Sequence, residues 1–212
     1  MALEGTHIRF ALGLEKTLGV TNEQHYLVGT VYPDSRYITK IPRALTHPEN
    51  LTLQNAGKDS FKLGWYVHIL CDKIGREIYQ DWFPGILAQS ELDEDNSPWL
   101  ASTMIKVFQD LHDITQFPIQ QYMDHLSYMS TPNGEDVALI THYNAIIQTM
   151  YATGEPLTLD HEENFWRLMT IGETRANKVH CMCEQYQNNQ DIAQLVPKLY
   201  DELLTRALKQ IL

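Results

Sequence analysis

The sequence predicts an all-α fold in a single compact multi-helix domain, and three observations carry that expectation. Apolar residues recur at three- and four-residue spacing over long stretches. Pro, Gly and Asn punctuate those stretches, and strand-like alternation is scarce. The 212 residues are 43% hydrophobic. A domain of this size hides roughly 70% of its unfolded surface, so it needs no staples. Residues 1–212 read as one domain, with no repeat and no low-complexity segment.

The elements follow in chain order. A first helix over 7–18 has Thr6 as its N-cap and Gly19 as its stop, with Phe10, Ala11, Leu14 and Leu18 at helical spacing. Thr21 and Gln24 form a capping box for a second helix that reaches Val31 and is ended by Pro33. Residues 33–57 contain Pro33, Pro42 and Pro48 and little periodicity. They read as a long loop, and loops beyond ~12–15 residues are usually functional or disordered. A third helix runs over 59–80, with Phe61, Trp65, Ile69 and Ile78 among its apolar positions. Ser97 before Pro98 caps a fourth, which carries Leu100, Met104, Val107 and Leu111. Further helices are expected over 119–128, 135–151 and 158–187. The last lies around 191–211, with Leu195, Leu199 and Leu203 in one row and Pro197 inside it or near its start. The total expected is seven to nine helices.

Composition narrows the function. Sixteen Lys and Arg stand against 27 Asp and Glu, a net charge of −11. Such a chain is a poor general binder of duplex DNA or an anionic membrane, because phosphate affinity comes mostly from basic contacts. Its many carboxylates suit metal instead. Cys71, Cys181 and Cys183 are an odd set, unlike a secreted disulfide framework. The opening residues lack a signal-peptide pattern, and no apolar run of ~18 residues would span a membrane. A cytoplasmic protein is the expectation.

Histidine carries the chemistry. His68 and Asp72 are four apart in Gly64-Trp65-Tyr66-Val67-His68-Ile69-Leu70-Cys71-Asp72. Positions four apart share a helix face, so the two can grip one cation or two adjacent ones. Burying a carboxylate without a partner is costly, so Asp72 must meet a cation or donors. A His–Asp pair capping a core helix is the alternative reading. Gly64, one turn before His68, leaves room for another backbone or a ligand. His7 opens the first helix, Asp34 follows Pro33, and His47 sits in Thr46-His47-Pro48. Taken singly, these read as a capping histidine, a turn aspartate and a loop histidine.

Taken in order, they carry more. Thr6-His7-Ile8, the apolar stretch from Tyr26 to Gly29-Thr30-Val31-Tyr32-Pro33-Asp34, Thr46-His47-Pro48 and the segment from Gly64 to Asp72 together resemble the bacterial zinc-dependent phospholipase C family. The resemblance covers about the first 80 residues. It implies the all-α fold shared with single-strand-specific nucleases. It implies that His7, Asp34, His47, His68 and Asp72 bind metal, and that a small phosphoester, foremost a phosphodiester, is hydrolysed. Zinc takes neutral imidazole and carboxylate, while mixed His/Asp sets also suit iron or manganese. One or two ions are expected, because the family's next histidine is replaced by Gln80-Asp81-Trp82-Phe83. Asp34, lying between the first and the loop histidine, is the candidate for the bridging or water-orienting role. Arg36 and Arg43 are candidates to pair with a substrate phosphate.

Other motifs compete. His180 and Glu184 have the spacing of a later family helix, in surroundings unlike the family. His112-Asp113, with Asp110 close by, resembles the pair of HD-type phosphohydrolases. From a different class comes a non-catalytic helical protein whose metal site is structural or vestigial.

Overall fold

The first helix, α1, spans Glu4–Leu18. Its N-cap is Leu3, which offers no side-chain cap, so Thr6 lies inside the helix rather than ahead of it. Gly19 ends α1 in the left-handed conformation at φ 64°, donating its N–H to the carbonyls of Glu15 and Lys16. In α2, Glu23–Val31, the cap is Asn22, whose Oδ1 accepts from the His25 N–H at 3.0 Å. Thr21 turns instead toward Ser60, 3.4 Å between hydroxyls. The computed structural model describes residues 3–91 and 98–212. No strand occurs among them, and they form one compact helical domain.

The stretch read as a long loop is folded in short pieces. A 3₁₀ turn, Tyr32–Ser35, follows α2, and then come three single turns, α3 (Arg36–Thr39), α4 (Arg43–Thr46) and α5 (Leu53–Ala56). Prolines forbid a long helix here but permit single turns between them. The long α6, Ser60–Trp82, is capped by Asp59, whose side chain accepts from the Lys62 N–H. After it come α7 (Pro84–Glu91) and α8 (Pro98–Gln116). Capping by Ser97 lies outside the described residues. A 3₁₀ segment, Ile119–Ser127, leads to α9, Val137–Tyr151, capped by Asp136.

The single helix expected over 158–187 is two, α10 (Leu159–Leu168) and α11 (Glu173–Tyr186). Thr170 and Gly172 between them take positive φ, 54° and 99°, which no helix can carry through. Likewise Pro197 divides the last stretch into α12 (Gln190–Leu195), a 3₁₀ turn and α13 (Leu199–Ile211). These splits and short turns raise the count among the described residues above the expected seven to nine.

The core is built around α6, which packs on α1, α2, α7, α8 and α13. Its Val67, Ile74 and Ile78 are fully buried, as are Phe10 and Leu14 of α1. The contact that matters most for chemistry is the crossing of α2 and α6. A Cβ added to Gly64 would stand 1.9 Å from the Tyr26 carbonyl oxygen, and one on Gly29 2.0 Å from that of Phe61. Two glycines therefore let the helices touch backbone to backbone. The room that the sequence left at Gly64 is taken by the backbone of α2.

Candidate metal centre

Because of that crossing, the end of α2 lies against the middle of α6. The Thr30 carbonyl oxygen reaches His68 Nδ1 at 2.8 Å. A carbonyl only accepts, so Nδ1 carries the proton. The neutral ring then turns a lone pair outward at Nε2. That atom faces Asp34 Oδ2 at 3.9 Å. Burial pushes the His68 imidazole well below its ordinary value, which keeps it neutral.

Asp34 sits in the 3₁₀ turn that Pro33 imposes after α2, and only 1% of it is exposed. Neither of its carboxylate oxygens has a hydrogen-bond partner among the described residues. Burial, and then the Asp72 carboxylate, push it up to about 7. Arg36 Nε stands 3.9 Å from Oδ1.

His47 ends α4. Trp65 Nε1 donates to the Thr46 carbonyl at 2.6 Å, and the Thr46 hydroxyl is 3.0 Å from His47 Nδ1. Together they aim Nε2 at Asp72 Oδ2, 3.8 Å away. Burial, then His68 and Arg43, push His47 down to about 2. The other Asp72 oxygen, Oδ1, is 3.8 Å from His7 Nε2. The His7 ring stacks on His68 with 3.8 Å between centroids, and the His47 ring meets His68 edge-on at 5.2 Å.

All five sequence candidates thus come together, and all are buried. They form two overlapping groups able to hold a metal ion, His7–Asp34–His68 and His47–His68–Asp72. His68 belongs to both. Asp72 turns its two oxygens to two different histidines, while Asp34 shares an ion-holding group with His7 and His68.

The other candidates lie elsewhere. Asp110 and Asp113 of α8 anchor the start of α1. Asp110 accepts from the Thr6 N–H at 2.6 Å and from the Tyr151 hydroxyl at 2.8 Å. Asp113 accepts from the Thr6 hydroxyl at 3.0 Å and from Arg9 at 2.6 Å. They hold the residue before His7, and neither they nor His112 belong to an ion-holding group among the described residues. His180 is 3.3 Å from Glu163 and 3.6 Å from Glu184. With Asp160 and Glu163 it forms a separate, partly exposed group on α10 and α11.

Beside the five residues opens a cavity of about 420 Å³. Asp34, His47 and Asp72 line one part of it, with Arg36, Tyr37 and Arg43 beside them. Arg76 and Gln80 of α6 and Trp99, Ser102 and Lys106 of α8 also line it. The stretch carrying Arg36 is tied down by Thr170, whose hydroxyl donates to the Tyr37 carbonyl at 2.8 Å and accepts from Lys40 Nζ at 2.6 Å. Lys40 and Thr170 are the two non-glycine residues with positive φ among those described.

No family model matches the chain, and neither a curated protein nor a solved structure does. No helix among the described residues is long and apolar enough to cross a membrane.

Sequence reasoning missed three contributors. Arg76 stands one turn beyond Asp72, a spacing that the sequence displays. Lys106 comes from a helix that only the tertiary fold brings near. Glu4 is fully buried behind the site, its Oε1 3.0 Å from the Tyr143 hydroxyl. Burial, and then the Asp34 charge, push it well up.

Proposed function

We propose that this chain is a metal-dependent hydrolase of phosphate esters, acting on a small phosphodiester, with one or two zinc ions held by His7, Asp34, His47, His68 and Asp72. One observation carries the reading. A histidine lone pair and a carboxylate, both buried, face each other across 3.9 Å with no donor between them. Two acceptors so placed repel unless a cation joins them. The 3.8–3.9 Å separations within the set exceed a hydrogen bond. They suit ligand atoms that each stand ~2.0–2.2 Å from a shared ion.

The chemistry divides among the side chains. A divalent cation at such a site lowers the pKa of water toward ~7 and neutralises phosphoryl oxygens. Thr30 fixes the tautomer of His68, and Thr46 with Trp65 fixes the ring of His47, the outer support that metal-binding imidazoles need. Asp72, with an oxygen toward each of two histidines, would help to hold one or two ions. Asp34 lines the cavity and is placed to orient the attacking water. Arg36 and Arg43 bring guanidinium groups to the same end, where they receive the phosphoryl oxygens. A purely structural site would be closed on all sides, whereas three of these five residues open onto the cavity.

The test measures metal per chain and hydrolysis of a chromogenic phosphodiester, for the wild type and for Asp72→Ala. The wild type should carry one or two zinc ions and turn the ester over. Asp72→Ala should lose both properties. A wild type that holds metal firmly yet is inert toward every phosphoester tried would leave the non-catalytic reading in its place.

A further inference from the structure

The cavity is more cationic than the rest of the chain allows one to expect. The net charge is −11, yet four of the 16 basic residues line this one cavity: Arg36, Arg43, Arg76 and Lys106. Among the described residues its only carboxylates are Asp34 and Asp72, both already in the candidate ligand set. Arg43, Arg76 and Lys106 make no ion pair with any carboxylate among the described residues, although the chain has 27 acidic side chains to offer. Other cations did find such partners: Arg9 pairs with Asp113, and Arg206 with both Asp81 and Glu202. A concave wall of one sign focuses its field on the space it encloses.

The four cations come from four different elements. Arg36 stands beside Asp34, at the metal end. Arg76 is four residues after Asp72 on the same face of α6, about 6 Å farther along the helix axis. Lys106 faces the same space from α8, in the row Trp99, Ser102, Lys106. Asp72 and Arg76 thus offer two successive positions on one helix face, and Lys106 lines the same cavity from α8.

From this arrangement we propose that the cavity selects a small phosphoester bearing a second anionic group about 6 Å from the scissile phosphate, received by Arg76 and Lys106, and that it rejects phosphoesters whose second group is cationic. The inference rests on the hydrolase reading above for which end takes the scissile phosphate. The net charge of −11 repels an anionic bilayer, so the molecule comes from solution. A volume of about 420 Å³ accommodates a compact ligand of this kind.

Non-hydrolysable phosphonates test it by calorimetric binding to the zinc-loaded protein. The probes are propane-1,3-bisphosphonate, with two anionic ends, propylphosphonate, with one, and 2-aminoethylphosphonate, with a cationic second end. The wild type should bind the bisphosphonate about tenfold or more tightly than propylphosphonate, since each charge-assisted contact is strong. It should bind 2-aminoethylphosphonate more weakly than propylphosphonate. In the double variant Arg76→Gln, Lys106→Gln, the preference for the bisphosphonate should collapse while the affinity for propylphosphonate is kept. Arg76 is exposed and Lys106 half-buried, so the variant keeps its core. An equal affinity for one and two charges in the wild type overturns the proposal. So does a preference that survives in the variant, because chelation of zinc by the bisphosphonate would survive there too. Turnover does not enter the readout. A protein that hydrolyses nothing but shows the expected pattern removes only the hydrolase reading.

Discussion

At the scale of single residues, Asp34 and Asp72 show why buried carboxylates at a metal centre are a liability without the metal. Burial, and then the Asp72 charge, raise the cost of ionising Asp34. Asp34→Asn removes one of the two charges. The metal-free protein should therefore melt higher than the wild type, by ~2–4 °C for each kcal/mol relieved in a chain of this length. The zinc-loaded protein should melt lower, because a ligand is gone. Melting curves with and without chelator read both signs, and a fall in both conditions would contradict the account. A second residue-scale prediction concerns the anchor of α1. Burial raises Asp110 from its ordinary 3.8 to about 6 and Asp113 to about 7. The folded chain then keeps protons that the unfolded chain releases. Their contribution to stability is complete below about pH 4 and is lost as pH rises through about 6 and 7. Stability of the metal-free protein should fall over that window. Asp110→Asn should flatten the fall by up to ~1.4 kcal/mol per pH unit. Denaturant titrations at several pH values measure the slope.

At the scale of elements, the α2–α6 crossing decides whether the site exists. Gly64→Ala would put a methyl 1.9 Å from the Tyr26 carbonyl oxygen, a backbone atom that cannot step aside. The helices must part, at a cost of ~1–3 kcal/mol or more. The Thr30–His68 hydrogen bond should part with them. A lower melting temperature together with weaker zinc affinity is the expected pair of outcomes. Gly85→Ala is the control, since nothing lies within 4 Å of a Cβ there, and it should leave both within error of the wild type. Helix type and approximate extent were legible for α1, α2, α6 and α9, because apolar spacing and caps are local signals. The break between α10 and α11 was not, since Thr170 takes φ 54° while its hydroxyl bonds Tyr37, 133 residues away. A residue held in that conformation by a distant partner leaves no mark in its own neighbourhood.

At the scale of the whole molecule, a metal ion held by these groups would tie together elements that are far apart in sequence. Its candidate ligands come from α1, the turn after α2, the end of α4 and the middle of α6. An ion that binds only the native state at a thousandfold excess over Kd adds ~4 kcal/mol. Chelation should thus lower the melting temperature by roughly 8–16 °C, at ~2–4 °C per kcal/mol. An unchanged curve after confirmed metal removal would contradict a tight site.

The sequence by itself determined the helical class and the approximate extent of the longest helices, because apolar spacing is written along the chain, and its resemblance to a known family pointed to the five side chains that come together. His68 and Asp72 were readable as one face from their spacing alone. The tertiary structure decided the rest. It gave Asp72 an oxygen toward each of two histidines, turned Asp110 and Asp113 into an anchor for α1, and brought Lys106 of α8 to the same cavity as Arg76 of α6. Those outcomes depend on how closely helices cross and which faces meet. The crossing itself depends on two glycines, 35 residues apart, whose missing side chains act only when the backbones are already in contact.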